Sequence, residues 1–278
     1  MKKYYLFIAL AMVAAMTVSC KNKNVKNTAS EDADEEVVEA AKTILADDVL
    51  AKIDEMAKPY FDSFGKSNFS DIISSHLTEE EKLVKPDYLL DPSEVNNLVT
   101  KTQKINALAI LIADRTVMKA YEMPVEETTE AIGRLMAEVG APISVEDPEK
   151  KTTSEKISSQ YEKCKESGDL PLFWQFHYAM ANEFSYIISQ NPDLFFRNIS
   201  DEQRNFLRNQ FRTCKEVVKT LAEYDPEVKM AWDTYSKFSA NYPDENARHE
   251  AYKSAEAAKE TFISRKESIA ARRAEMLK

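Results

Sequence analysis

Four glycines in 278 residues constrain this chain more than any other feature. Average glycine usage is about 7%, so the chain has almost no material for hairpin turns, bulges or phosphate-cradling loops. A β-rich fold and a glycine-rich nucleotide fold are both excluded on that ground. Three of the four (Gly65, Gly140 and Gly168) stand where a helical hydrophobic pattern stops, and only Gly133 lies within one. Glycine used as helix punctuation predicts an all-α protein.

The periodicity agrees. Val38, Ala41, Leu45, Val49, Ile53, Met56 and Tyr60 recur at steps of three and four, which puts them on one helical face. Pro59 is expected to kink or restart that helix. Thr78 with Glu81 matches a capping box, and so does Ser200 with Gln203. Asp91-Pro92-Ser93-Glu94 reads as the start of a helix running to about Tyr121. Within it, Ile105 to Ala113 is apolar nearly all round apart from Asn106, as suits the middle of a bundle. Leu170 to Gln190 is a second such helix, rich in aromatics and carrying one formal charge, Glu183. Asp225-Pro226 opens a further one, and the last helix is expected to run unbroken from near Asp244 to the C-terminus. Residues 35–278 are thus predicted to form a multi-helix bundle of about eight or nine helices with a long C-terminal helix. The polar stretch 141–153, with Pro142 and Pro148, is either a sub-boundary or a crossover loop.

The N-terminus carries an address. Lys2 and Lys3 precede an apolar run from Tyr4 to Met16, too short to span a bilayer as a helix and laid out like a secretory signal. Thr17-Val18-Ser19-Cys20 resembles the lipobox of bacterial lipoproteins, with Thr17 and Val18 where that family more often has Leu and a small residue. The resemblance implies a signal peptide over 1–19, cleavage before Cys20, and acylation of Cys20 as the membrane anchor. The cysteine of that family carries three acyl chains, and two or more give stable attachment. Lys21 after the lipidated cysteine implies the outer rather than the inner membrane. Residues 20–34 read as the lipidated cysteine and a polar tether with a reach of about 20 Å.

Chemistry is sparse. With 37 Lys+Arg against 47 Asp+Glu the formal charge is −10, and without a basic block the chain is not expected to bind nucleic acid. Phosphate loops, nucleophile elbows and calcium loops are missing. His249-Glu250 begins like a zinc-protease helix, but Lys253 stands where the second histidine belongs. A di-iron bundle needs Glu three residues before His; Ile73, Trp174 and Asn246 occupy those places before His76, His177 and His249. No metal site, cofactor or catalytic set is therefore predicted. His177 lies on the aromatic helix with Trp174, Gln175, Asn182, Glu183 and Tyr186. Trp174, His177 and Glu183 either belong to a ligand pocket or are core groups satisfying one another's hydrogen bonds. Cys164 and Cys214, on apolar faces, either form one disulfide or pack as small hydrophobes. In the C-terminal helix, Ala255, Phe262, Ile269 and Met276 recur every seven residues. The alternating seam positions Ala258, Arg265 and Arg272 leave only half a seam. The expected function is a lipid-anchored cell-envelope protein, attached to the membrane through Cys20. It has a non-enzymatic binding or scaffold role toward a protein partner, or else a small-ligand pocket beside helix 170–190.

Overall fold

Two helices without a polar face hold the centre, and the others are arranged by which of the two they cover. The computed structural model describes residues 45–140, 152–238 and 245–278. The signal segment 1–19, Cys20, the tether 20–34, Val38, Ala41 and residues 141–151 lie outside them. Among the described residues the fold is all-α, with twelve α-helices and no strand.

The central pair is α3 (Lys101–Ala120) and α6 (Leu170–Gln190), packed against each other. Ile105 to Leu111 of α3 are all buried, as are Phe173 to Ala179 of α6. Flanking them, α1 (Asp47–Phe64) lies on α8 (Asp201–Leu221), α4 (Glu126–Val139) covers α3, and α8 covers α6. α2 (Phe69–His76) packs on α3 and on α7 (Pro192–Phe196), α5 (Thr153–Ser167) on α1 and α6, and α9 (Pro226–Tyr235) on α8. The chain closes with α10 (Glu245–Ala251), α11 (Ala255–Ile263) and α12 (Lys266–Met276), the last lying along α6.

Local chemistry explains these boundaries. In α1, Val49, Ile53, Ala57 and Tyr60 form the buried stripe, and Asp47 and Asp48 meet the positive end of the helix. Pro59 is carried inside α1, which continues to Phe64. The two capping boxes form as expected. Ser200 Oγ accepts from Gln203 N at 3.1 Å and opens α8, while the Thr78–Glu81 box opens only a single 3-10 turn, Glu81–Leu83. At Asp91-Pro92 the outcome differs from the expected long helix. Pro92–Asn97 is a 3-10 turn, and α3 starts afresh at its own capping box. There Thr100 Oγ1 accepts from Gln103 N at 3.1 Å and Gln103 Oε1 accepts from Thr100 N at 2.8 Å.

The expected long C-terminal helix is also corrected. Ser254 Oγ accepts from Ala257 N at 3.1 Å and starts α11 after a turn. A second break at Ser264 and Arg265 separates α11 from α12. Each break folds an apolar face back onto the body, burying Ala258 and Phe262 of α11 and Ile269 and Met276 of α12. Together with the short α2, α7 and α10, these breaks raise the count from the expected eight or nine helices to twelve among the described residues.

α4 and α5 end on glycines in the left-handed region, Gly140 at φ 61° and Gly168 at φ 75°. Gly65, after α1, has φ −72° and is open to any residue. A Cβ on Gly140 would meet nothing within 4 Å, so its backbone angle alone opposes substitution. Gly140→Ala is therefore expected to cost about 1 kcal/mol in denaturant unfolding, and Gly65→Ala to be neutral or slightly stabilising. Equal losses at the two sites would contradict this account of how the helices stop.

Candidate functional site: a cationic pocket beside helix α6

Helix α6 presents different faces to different surroundings, and this separates the three residues expected to share a pocket. Trp174 is fully enclosed by Tyr60, Phe61, Tyr161 and Phe173, with ring centroids 5.3–6.4 Å away. One turn on, His177 Nδ1 lies 2.7 Å from the Tyr60 hydroxyl, and its ring sits against Phe173 at 4.2 Å. Burial pushes His177 down to about 3, so the imidazole is neutral. Glu183 is 0% exposed and faces α3 and α12.

Glu183 belongs to a buried ionic cluster. Its two carboxylate oxygens each accept from Arg273 Nε at 2.9 Å. Asp114 of α3 lies 3.6 Å from Arg273 Nη2, and its Oδ2 accepts from Leu90 N at 2.8 Å. Asp114 and Glu183 lie close enough to oppose each other's charge, and two buried carboxyls facing one guanidinium balance only if they hold one proton between them. Burial, reinforced by the Asp114 charge, raises Glu183 well above the usual carboxylate range, and burial raises Asp114 to about 6. Arg273 also stacks on Tyr186, its guanidinium carbon 4.4 Å from the ring centroid. One proton, two carboxyls and one guanidinium bring the cluster to charge balance, as burial demands.

Immediately before Arg273, Arg272 points elsewhere, since successive residues on a helix are about 100° apart. It lines a pocket between α6, α8, α11 and α12 that measures about 850 Å³ counting its open mouth. Three helical stripes converge there. Tyr178, Asn182 and Ser185 come from α6, Arg208, Phe211, Arg212 and Lys215 from α8, and Ile269 and Arg272 from α12. Phe262 of α11, the following Arg265 and Arg248 of α10 complete the wall. Six of the lining side chains are cationic and none is acidic, in a chain of net charge −10. Some charge is met from outside, as where Arg248 pairs with Glu216 at 3.4 Å. Arg208 Nη1 lies 3.2 Å from His249 Nδ1.

The floor is where the chemistry is unfinished. Tyr178, Asn182 and Arg272 are all at least nine-tenths buried, yet the Tyr178 hydroxyl, Asn182 Nδ2 and Arg272 Nε have no hydrogen-bond partner. Tyr178 is close enough to favour the Arg272 charge, both electrostatically and as a weak acceptor short of a well-formed hydrogen bond, which leaves its own O–H free to donate. Burial lowers Arg272, and the neighbouring Arg265 lowers it further. Burial likewise lowers Lys215, with Arg248, Lys219 and Arg272 adding to it against the opposing pull of Glu216. Buried donors without acceptors are costly, and all three floor groups can donate.

Neither Trp174, His177 nor Glu183 lines this pocket. Arg265 and Arg272, which do, carried a sequence signal of their own. They are the cations at the inward seam positions of the C-terminal heptad pattern. Cys164 and Cys214 are free, buried thiols, each pushed up to about 12 chiefly by burial. Among the described residues no group of three His, Cys, Asp or Glu side chains could hold a metal ion. No protein family, curated protein or solved structure matches this chain.

The acid pair predicts a pH dependence. Both folded values lie above the unfolded 3.8 and 4.5, so the pair's stabilising contribution is complete below about pH 4 and is lost as pH rises through 6. Asp114→Asn keeps an acceptor for Leu90 N and removes the competing charge. The melting temperature of the parent relative to this variant should fall steadily from pH 4 to 8, and a difference constant with pH would rule out the shared proton.

Proposed function

We propose that this chain is a ligand-binding lipoprotein of the bacterial envelope. In this reading Cys20 is acylated and anchors the protein, by preference in the outer membrane. Residues 20–34 hold the helical domain clear of the surface, and the pocket beside α6 takes a small organic anion. The observation that carries it is the pocket's composition, with six cations, no carboxylate and three buried donors at the floor without a well-formed hydrogen bond, beside an apolar wall. Ligand sites generally combine an apolar wall with a few converging polar groups. His, Cys, Asp and Glu are not among the lining residues, whereas Lys215, Tyr178, Tyr252 and the hydroxyls of Ser185, Thr261 and Ser268 are, so the proposal of binding rests on the cationic composition and not on a lack of reactive groups. A scaffold acting through helical surfaces calls for a contiguous apolar face. The exposed large apolar side chains among the described residues are Leu83, Val84, Val99, Tyr224, Met230 and Ile263, drawn from five separate stretches of chain. Among the described residues no helix is long and apolar enough to cross a membrane, so attachment in this proposal rests on the lipid.

Two experiments test the two halves. Cys20→Ala should move the protein from the membrane to the soluble fraction, and continued sedimentation with membranes would remove the anchor from the proposal. Native mass spectrometry of the purified protein should show extra mass that denaturation releases as an organic anion. Arg272→Ala should lose it. His177→Ala, outside the pocket, should keep it while costing about 2–4 kcal/mol from the lost Tyr60 hydrogen bond and the cavity left in the aromatic core. Ligand lost with His177→Ala but kept with Arg272→Ala would move the site.

A further inference from the structure

We infer that the ligand is a phosphate monoester carried on an apolar body, its phosphoryl oxygens meeting Arg272, Asn182 and Tyr178. This rests on the reading of the pocket as an anion site and names the class of anion. The first argument is the count of donors at the floor. Tyr178 O–H, Asn182 Nδ2 and Arg272 Nε are three unpartnered buried groups from two helices converging on one cavity. A carboxylate presents two oxygens, whereas a phosphate monoester presents three acceptor oxygens and a charge of about −1.5 to −2 at neutral pH.

The second argument is charge density. Arg265 opposes the charge on Arg272, and Arg272 that on Lys215, while Glu216 offsets part of the charge at Lys215 and Arg248 from outside the pocket. A single negative charge would relieve part of that repulsion and a dianion more of it. Arginine's planar fork also suits phosphate oxygens. The third argument concerns what holds the rest of the molecule. Phe211, Phe262 and Ile269 give the pocket an apolar side that inorganic phosphate could not cover, so the phosphate must belong to an ester with an apolar part.

Calorimetric titration of the full-length protein at pH 7.5 with 1-naphthyl phosphate, 1-naphthoate, 1-naphthol and inorganic phosphate tests this directly. The first three present the same ring system with about two, one and no negative charges. Naphthyl phosphate is expected to bind at least tenfold tighter than naphthoate, and naphthoate tighter than naphthol. Inorganic phosphate should bind far more weakly than its naphthyl ester. Arg272→Met, which keeps the side chain's bulk, should erase the preference for phosphate over carboxylate. If that variant does not fold, Arg208→Gln at the wall should reduce it several-fold. Naphthoate binding as tightly as naphthyl phosphate would overturn the phosphate inference and leave the anion pocket standing. Naphthol binding as tightly as both would overturn the anion pocket as well. Inorganic phosphate matching its ester would overturn the apolar body. A short-chain phosphatidic acid distinguishes the two sources of such a ligand. Tighter binding than naphthyl phosphate assigns a lipid-derived ester and weaker binding a soluble one, and both outcomes support the shared chemistry.

Discussion

Arg273 reaching back to Glu183 and Asp114 is the contact on which the rest of this structure depends. Two acidic side chains in the middle of a helical protein cannot both be charged without a partner. α3 and α6 bring Asp114 and Glu183 together because each lies on the face by which these two central helices meet. One guanidinium and one retained proton make that arrangement tolerable. In exchange, α12 is held along α6 by a two-oxygen ion pair rather than by apolar contact alone. The C-terminal end of α12 is tied down too, since Asn106 Nδ2 of α3 donates to the Met276 carbonyl at 2.9 Å.

The pocket is a by-product of that tether. With Arg273 committed to the interior, helical geometry turns Arg272 toward the space between α6, α8 and α11. There it meets the cationic stripe of α8 instead of solvent. Burying an arginine next to other cations is unfavourable unless something negative shares the space, and here the nearest influences on Arg272 are tyrosines and Arg265. The ion-paired cluster and the pocket are thus two sides of one helix, one electrically closed within the protein and the other left with an excess of cations among its lining side chains.

Most of the fold was legible in the chain because its signals are local. Gly140 and Gly168 stop helices through a backbone angle, Ser200 and Gln203 start one through two hydrogen bonds, and α6 keeps the bounds its composition suggested. Elements that went unrecognised depend on distant partners. The break at Ser254 looks like any serine in a helical stretch until Phe262 has a core to turn toward. Pro92 opens only a 3-10 turn because the Thr100 box captures the start of α3. Among the site residues, Trp174, His177 and Glu183 drew notice as polar or bulky groups on an apolar helix; the six-residue spacing already sets Glu183 on a different face from His177, but which neighbours those faces meet depends on distant parts of the chain. Arg265 and Arg272 were visible as cations in seam positions, though what they face depends on α8, some sixty residues earlier in the chain.

The order in which the polypeptide is made gives the buried cluster a further meaning. Asp114 and Glu183 leave the ribosome long before Arg273. Until Arg273 arrives, the two central helices can associate only by bringing together carboxyls that have no countercharge. Early collapse of α3 on α6 is therefore penalised, and this part of the core closes once α12 is present. A chain made only as far as α11 stays looser for that reason, so the closing of the core waits until α12 can dock.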